Sequence, residues 1–371
     1  MSVALAPAPA ATKAAAVQMV NPFTKAARRK TETFLDRSAV LGASAVTLAQ
    51  IDVPATGWLR HLVLTFTCDT QSGATPSTFA ADAPWNLIES ITFKDVNGQP
   101  LHTLSGYNLF LANLTGAYVQ NADPRKSQYA VGATGAAGIR FTLRIPIEII
   151  ARGALGCLAN LNGSMLYKLG ITLAPAATVF ATNPPAVANV RVTGVIESWS
   201  NPPAADLRGV ANAVRPPAEG TTQNWSENVQ PTVAGQNTLR HSRVGNAIRN
   251  LVYVLRDGAG ARTDATWPAE LAVFFDGNQW HKAPISYFRQ RAIELYGYAP
   301  GDFPAGVLVL PFTDDFDGTP GEEVGDFWVQ TSGATRFELQ GVFSAAGSLT
   351  TLTNDVLAVA SPSGPGATLG A

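Results

Sequence analysis

Two stretches that lie far apart in the sequence share one pattern of residues. The first is PWNLIESITFKDVNGQPL (Pro84 to Leu101), in which a strand-like run ends in Asn-Gly. The second is WPAELAVFFDGNQW (Trp267 to Trp280), in which a similar run ends in Asp-Gly. Asn-Gly and Asp-Gly are the preferred residues of two-residue hairpin turns. The sequence therefore predicts the same strand-turn-strand element twice.

The features on both sides of these stretches recur in the same order when one half of the chain is laid over the other. The matched positions are Arg60 with Arg249, Trp85 with Trp267, Ser105 to Tyr118 with Ser286 to Tyr298, Pro146 with Pro311, and Gly163 with Gly333. The spacing between partners drifts along the chain, as loops of unequal length require. We interpret the chain as two copies of one β fold. The repeat-equivalent core positions are then Trp85, Trp267, Pro146 and Pro311.

Alternation of apolar and polar residues locates the strands of this fold. In GIRFTLRIPIEII every second residue from Ile139 to Ile149 is apolar, which predicts a half-buried strand with Pro146 on its polar side. Similar alternation occurs from Leu62 to Phe66, from Met165 to Leu173 and from Phe337 to Phe343. Short strands separated by Gly, Pro and Asn are typical of antiparallel sandwiches and barrels.

Helical patterns are confined to short segments. The two candidates are SGYNLFLANLTG and ISYFRQRAIELYG, of which the second ends at Gly297, a typical helix-terminating residue.

Greek-key wrapping covers most strand edges in an antiparallel domain of this length. We therefore expect an all-β fold of two tandem eight-stranded antiparallel jelly rolls, with short helices in loops.

The composition agrees with a folded β protein. Of 371 residues, 46% are hydrophobic and 14% charged, with 33 Gly and 25 Pro, which is too apolar for a disordered chain and too rich in turn formers for a helical bundle. No apolar run approaches the roughly 20 residues of a membrane-spanning helix. The predicted division is a basic N-terminal arm (1–37), a first jelly roll (38–199), a Pro/Gly-rich connector (200–237), a second jelly roll (238–360) and a flexible tail (361–371).

The N-terminal arm is basic. Lys13, Lys25, Arg28, Arg29 and Lys30 all precede the first acidic residue in the sequence. The arm lacks the order of a secretory signal, and its segment NPFTKAARRKTETF could form a short amphipathic helix with Phe23, Ala27 and Phe34 on one side. Three interpretations stay open: a disordered or packing arm, an arm that contacts an anionic surface such as phospholipid or nucleic acid, and an organelle transit peptide.

These features together resemble a known family. The basic arm, WNLIESITFKDVNGQPLHTLSG, FTLRIPIEIIARGALGCLANLNGSMLYKLGITL, and GVLVLPFTDDF followed by FWVQTSGATRFELQGVF carry the resemblance. Over roughly residues 38 to 360 the chain resembles, in pattern and order, the double jelly-roll major capsid proteins of tailless icosahedral viruses such as the tectivirus-like bacteriophages.

The resemblance implies a structural protein of the virion shell that is assembled in the host cytoplasm and is not an enzyme. In that family three copies form a pseudo-hexagonal capsomer, so the implied partners are further copies of the chain, neighbouring capsomers and penton or minor capsid proteins. The N-terminal arm lies beneath the shell in that family, against an internal membrane or the packaged genome. Lys25, Arg28, Arg29 and Lys30 suit such an anionic layer.

The sequence contains no set of residues typical of an enzyme, and it predicts no cofactor. His61, His102, His241 and His281 are dispersed, no Gly-x-Ser-x-Gly motif occurs, and Cys68 and Cys157 are expected to be buried free thiols. The loop DDFDGTPGEE is expected to be a solvated turn. A weak alternative for it is a Ca²⁺ site with Asp314, Asp315, Asp317 and Glu322 as ligands and Glu323 nearby.

Two other functions stay open at this point. A glycan-binding or glycan-processing β-sandwich protein would use exposed tryptophans, with Trp225, Trp267 and Trp280 as candidates for stacking on sugar rings. A viral spike or receptor-binding protein would also be rich in β strands. The loop RKSQYAVGATGAAG, which begins at Arg125, is expected to be exposed or to lie between subunits.

Overall fold

The chain forms two β sandwiches. The computed structural model describes residues 20–70, 77–116, 138–151, 153–185, 187–298, 303–313 and 327–357. The first sandwich contains the strands β1 (Arg29–Val40), β2 (Val46–Thr47), β3 (Ile51–Val53), β4 (Gly57–Thr70), β5 (Thr78–Phe79), β6 (Ile88–Lys94), β7 (Pro100–Leu104), β8 (Gly138–Pro146), β9 (Leu158–Asn160), β10 (Tyr167–Leu173), β11 (Phe180–Thr182) and β12 (Ala188–Trp199).

The second sandwich follows after a connector. Its strands are β13 (Thr222–Thr232), β14 (Gly235–Arg240), β15 (Ala247–Asp257), β16 (Glu270–Phe275), β17 (Asn278–Pro284), β18 (Val307–Pro311), β19 (Val329–Gln330), β20 (Phe337–Phe343) and β21 (Gly347–Leu357). The helices in the described parts of the chain are α1 (Phe23–Ala26), α2 (Gly106–Thr115), α3 (Ala176–Val179), α4 (Ile285–Tyr296) and a 3₁₀ turn at Trp85–Leu87.

The two sandwiches have the same strand order. One sheet of the first runs β1-β12-β4-β8, and its counterpart in the second runs β13-β21-β15-β18; we name these the long-strand sheets. The other sheet of the first runs β7-β6-β10 with β2 and β3 on β10, and its counterpart runs β17-β16-β20-β14; we name these the hairpin sheets. Each sandwich is a jelly roll, and the predicted fold class is confirmed.

The internal repeat is visible in the details of strand pairing. In the first jelly roll the pairing of β4 with β12 skips Arg60, which is therefore a bulged residue. In the second the pairing of β15 with β21 skips Arg249 in the same way. The two helices that follow the hairpins, α2 and α4, also correspond, and α4 ends at Gly297 in a left-handed conformation that glycine adopts easily.

One continuous sheet joins the two jelly rolls. Strand β13, the edge of the second long-strand sheet, pairs in parallel with β7, the edge of the first hairpin sheet, so that ten strands form a single sheet. The backbone N–H of Trp225 in β13 donates a hydrogen bond to Nδ1 of His102 in β7 over 3.1 Å. Both side chains are almost completely buried. The junction between the jelly rolls is thus part of the hydrophobic interior.

The hydrophobic cores follow from this arrangement. The core of the second jelly roll contains Leu251, Tyr253 and Leu255 of β15. The alternate residues Val252 and Val254 of β15 belong instead to the core cluster of the first jelly roll. Strand β15 is therefore buried on both faces, because the face directed away from its own core is covered by the first jelly roll.

Several elements begin or end at positions that differ from the sequence predictions. Strand β1 begins at Arg29 and β13 at Thr222, inside the segments expected to be the arm and the connector. The amphipathic helix predicted around Phe23 is wrong beyond its first turn, because the chain from Arg29 onward pairs with β12. Strand β8 ends at Pro146, which is buried rather than polar-facing, and residues 147–149 continue as buried irregular chain.

We predict that the joining strand contributes strongly to stability. Trp225→Ala removes a fully buried indole beside β7, and we expect it to lower the free energy of unfolding by about 3–5 kcal/mol. The control Trp280→Ala removes a side chain that is 42% exposed, and we expect a loss of about 1 kcal/mol. Urea unfolding followed by circular dichroism measures both. Equal losses for the two variants would contradict the assigned junction.

Candidate functional surfaces

The arm segment before β1 is fixed against the connector. The backbone N–H of Asn21 donates a hydrogen bond to the carbonyl oxygen of Ala211 over 2.9 Å. The backbone N–H of Ala213 donates to the carbonyl oxygen of Asn21, also over 2.9 Å. The ring of Phe23 is buried, 5.9 Å from the ring of Trp58 and 6.4 Å from that of Trp199. Residues 21–28 therefore pack onto one end of the first jelly roll.

The four predicted basic residues emerge at this end. Lys25, Arg28, Arg29 and Lys30 are all exposed, and the guanidinium of Arg29 lies 5.2 Å from the ring centre of Trp199. The neighbouring connector loop presents further groups to solvent. They are the basic residues Arg208 and Arg215 and the apolar residues Leu207 and Val214, and Val20 of the arm is exposed as well. We name these exposed residues together the basic end of the first jelly roll.

A buried carboxylate supports this end. Glu148 is 2% exposed and accepts hydrogen bonds from Nε of Arg60 over 2.7 Å and from Nε1 of Trp199 over 2.7 Å. The second guanidinium nitrogen of Arg60 lies 2.6 Å from the same carboxylate. Because Trp199 is also the ring on which Phe23 packs, the Glu148 network orients the surface that holds the arm.

The same carboxylate is a partner of Cys157. The thiol donates to Glu148 over 3.3 Å, and burial, reinforced by the charge of Glu148, holds the pKa of Cys157 well above its usual range. A thiol in such surroundings stays protonated and is a poor nucleophile. Cys68 is buried as well, so the prediction of two buried free thiols is confirmed.

The junction between the jelly rolls carries a second polar network. Asp82 of the first jelly roll accepts from Arg256 over 2.5 Å and from Arg262 over 2.7 Å, both in the second. The guanidinium of Arg262 lies 4.6 Å from the ring centre of Tyr107 in α2. These three partly buried charges connect the two units, because removing Asp82 would leave two arginines without their carboxylate partner.

Helix α2 lies across the second long-strand sheet at the junction. Near its start, Nδ2 of Asn108 donates to Glu227 in β13 over 2.6 Å. At its end, the carbonyl oxygen of Gly116 accepts from Arg249 over 3.1 Å, and that of Thr115 accepts from Asn250 over 3.4 Å, both in β15. All ten residues of α2 are buried. The helix thus fills the space between the jelly rolls.

The histidines do not assemble into a site. Burial lowers the pKa of His102 to about 3 and that of His241 to about 4, and it places the pKa of His61 well below its usual range, with the charges of Arg144 and Arg60 adding to the shift. His281 is exposed on β17. Within the described ranges, no group of three or more His, Cys, Asp or Glu residues could hold a metal ion.

The tryptophans proposed for sugar stacking are mostly unavailable to solvent. Trp225 is fully buried and Trp267 is 8% exposed, so for these two the proposed stacking role is wrong. Both side chains belong to hydrophobic core clusters. The polar sequence around Trp225 gave no indication of its burial. Trp280 is 42% exposed, but its ring stacks on that of Phe312 with centres 5.4 Å apart.

The repeat-equivalent positions occupy matching places. Trp85 and Trp267 are buried ahead of β6 and β16, and Pro146 and Pro311 are buried at the ends of β8 and β18.

Two predicted loops lie outside the described residues. They are most of the loop that begins at Arg125 and the acidic loop with Asp314, Asp315, Asp317, Glu322 and Glu323. The helices that the structure describes include none with the length and apolar character needed to cross a membrane.

Comparison with solved structures identifies the architecture. The chain is similar to the STIV MCP, with a TM-score of 0.64 and 14% identity over 89% of this chain and 97% of that one. It is also similar to the PBCV-1 virus capsid (TM-score 0.58, 12% identity, 93% and 95% coverage) and to the major capsid protein P2 from bacteriophage PM2 (TM-score 0.53, 11% identity, 90% and 98% coverage). The fold is a double jelly roll. No family model matches the sequence, and no curated protein matches it either.

The match extends over 89 to 93% of this chain and 95 to 98% of the three other chains, so it includes both jelly rolls. At identities of 11 to 14% the likeness concerns the fold. The predicted resemblance to double jelly-roll major capsid proteins is thus confirmed at the level of structure.

We predict that the Glu148 network is a major source of stability at the basic end. Glu148→Gln leaves the guanidinium of Arg60, which is 12% exposed, without a charged partner, and we expect a loss of about 3–5 kcal/mol of unfolding free energy. The control Asp36→Asn breaks an ion pair with Arg191 whose side chains are both more than half exposed, and we expect a loss below about 1 kcal/mol. Urea titration of both variants tests this, and a loss for Glu148→Gln as small as the control's would show that the network is dispensable.

Proposed function

We propose that this chain is the structural major capsid protein of an icosahedral virion. The observation that carries the proposal is a double jelly roll in one chain, matched over almost its full length by structures described as major capsid proteins or virus capsids. The described residues are compatible with this role, because His61, His102, His241 and both thiols are buried among packed side chains.

The geometry of the chain suits a shell. Two similar jelly rolls held rigidly side by side give each copy two nearly equivalent corners. Three copies arranged around a threefold axis would present six such corners, and a pseudo-hexagonal unit of this kind tiles a surface without gaps. We propose a homotrimeric capsomer on this basis, with neighbouring capsomers and penton or minor capsid proteins as further partners, in a particle that is assembled in the host cytoplasm.

We further propose that the basic end of the first jelly roll faces an anionic layer inside the shell, either an internal membrane or the packaged genome. Lys25, Arg28, Arg29 and Lys30 lie together and exposed there, and Leu207 is fully exposed beside them. Basic side chains gain about 1 kcal/mol each near an anionic lipid surface. Exposed apolar residues among them suit contact with lipid.

The capsomer proposal predicts the mass of the purified protein. We expect multi-angle light scattering to give three times 38.9 kDa, about 117 kDa, and negative-stain images of that species to show a hexagonal outline with six lobes. A monomer that persists at high protein concentration would overturn the proposal.

The arm proposal predicts salt-sensitive binding to an anionic surface. We expect the pair Lys25→Gln and Lys30→Gln to weaken binding to phosphatidylserine-containing vesicles by about 2 kcal/mol, roughly thirtyfold. The matched control removes two half-buried lysines elsewhere, Lys94 and Lys168 on neighbouring strands of the first hairpin sheet. Flotation assays measure binding to the vesicles, and a parallel binding assay uses double-stranded DNA. Comparing the two ligands shows whether the basic end prefers a membrane or the genome. Equal effects of the two pairs on both ligands would contradict a role for the basic end.

A further inference from the structure

Two outer edges of the described sheets correspond to the two edges that are joined at the junction. Strands β7 and β13 pair with each other at the junction. By the internal repeat, β17 is the counterpart of β7 and β1 is the counterpart of β13. Neither has a second neighbour among the described strands, and both are largely exposed. An exposed strand edge offers backbone hydrogen-bonding groups to another chain.

The strand registers fix which residues correspond. In the hairpin sheets, Phe93 pairs with His102 and Val273 pairs with His281, so His281 stands in β17 where His102 stands in β7. In the long-strand sheets we count from the bulged arginines. His61, the residue after Arg60, pairs with Glu197 in β12, and Glu197 pairs with Thr31 in β1.

The same count in the second jelly roll reaches the joining strand. The residue after Arg249, Asn250, pairs with Asn354, and Asn354 pairs with Trp225 in β13. Thr31 therefore occupies in β1 the position that Trp225 occupies in β13. The residues His281 and Thr31 are thus the counterparts of the paired residues His102 and Trp225.

The sheet faces beside the joined and outer edges also differ, because one is covered and the other is not. On the second long-strand sheet, the face directed away from its own core is sealed by the first jelly roll. Its central residues are at most 1% exposed: Val252, Val254, Val307, Val309 and Leu352. The equivalent residues of the first long-strand sheet are only half-buried: Val63, Thr65, Thr142, Arg144 and Val195. A face that is sealed in one copy of the repeat is thus uncovered in the other, within the described part of the chain.

The helices show the complementary difference. Helix α2 is wholly buried because it lies between its own jelly roll and the next. In its counterpart α4, only Phe288, Ala292 and Tyr296 are buried, and Tyr287 is 52% exposed. Helix α4 therefore has the placement of α2 without the sheet that α2 covers.

We propose that β17 and α4 of one copy bind β1 and the uncovered face of the first long-strand sheet in a second copy, in the parallel register of the β7–β13 junction. His281 then lies opposite Thr31 of the second copy, and Lys282 lies opposite Glu32. This contact rests on the proposed capsomer and specifies its interface. Because it joins two different surfaces, each copy uses both, and a ring of three copies forms if the contact repeats around a threefold axis.

The chemistry of the two surfaces suits this partner. At the edges, the charges of Lys282 and Glu32 are opposite, which favours this register over one that places like charges together. Three of the five positions on the uncovered face are polar where the sealed face has valine. A more polar interface is expected between subunits that must remain soluble before they assemble.

An engineered disulfide tests the register. The variant Thr31→Cys with His281→Cys places the two cysteines on neighbouring strands of different copies, at a separation within the range that a disulfide spans. Both native residues are exposed, and the native cysteines Cys68 and Cys157 are buried. The matched control is Thr31→Cys with Thr238→Cys, because exposed Thr238 lies on β14 at the opposite edge of the same hairpin sheet.

The outcomes are separate for the interface and for the capsomer. We expect mild oxidation of the first variant to give covalent rings of three copies on a non-reducing gel, while the control stays monomeric on the gel. A trimer in solution that forms no such crosslink would overturn this interface and leave the capsomer standing. A monomer without crosslinks would overturn both.

A second variant tests the uncovered face without engineered cysteines. Val195→Glu places a charge at the centre of that face, at a position that the fold leaves half-buried. We expect it to convert trimers into folded monomers in light scattering, with an unchanged circular dichroism spectrum, whereas Thr238→Glu should leave the trimer intact. Intact trimers of Val195→Glu would contradict the proposed contact.

Discussion

The parallel pairing of β7 with β13 is the constraint on which the rest of the structure depends. It joins two jelly rolls into one ten-stranded sheet and buries strand β15 on both faces. Few residues make the pairing, but the hydrogen bond from Trp225 to His102 lies in the interior, where an unsatisfied N–H would be costly. The two units therefore cannot rotate against each other without opening a hydrophobic core.

The two copies of the repeat share a bulged arginine but give it different partners. Each places an arginine at a bulge in the same strand. In the first jelly roll Arg60 is neutralised by Glu148, and that pair orients Trp199 beneath the arm. In the second, Arg249 is 0% exposed and donates to Asn354 and to the end of α2. One bulge thus supports the basic end of the first jelly roll and the other supports the junction.

The sequence was informative where the signal is local. Asn-Gly and Asp-Gly turns, alternating apolar residues and Gly297 as a helix end are short-range features, and they predicted the hairpins, the core strands and both hairpin helices. The start of strand β13 was not predicted from the sequence. Its buried residues Gln223 and Trp225 form hydrogen bonds to polar partners, so the strand lacks the apolar alternation that marks the others. The burial of Glu148 was not predicted, because its partners Arg60 and Trp199 lie on β4 and β12, far from it in the sequence.

We propose that the junction within the chain is formed a second time between chains. Cryo-electron microscopy of the purified oligomer tests it most directly. We expect β17 and α4 of one copy, together with β1 of the next, to superimpose on β7, α2 and β13 within a copy, so that all the jelly rolls are related by a pseudo-sixfold axis. Copies that meet through other faces, with β1 and β17 left exposed to solvent, would contradict it.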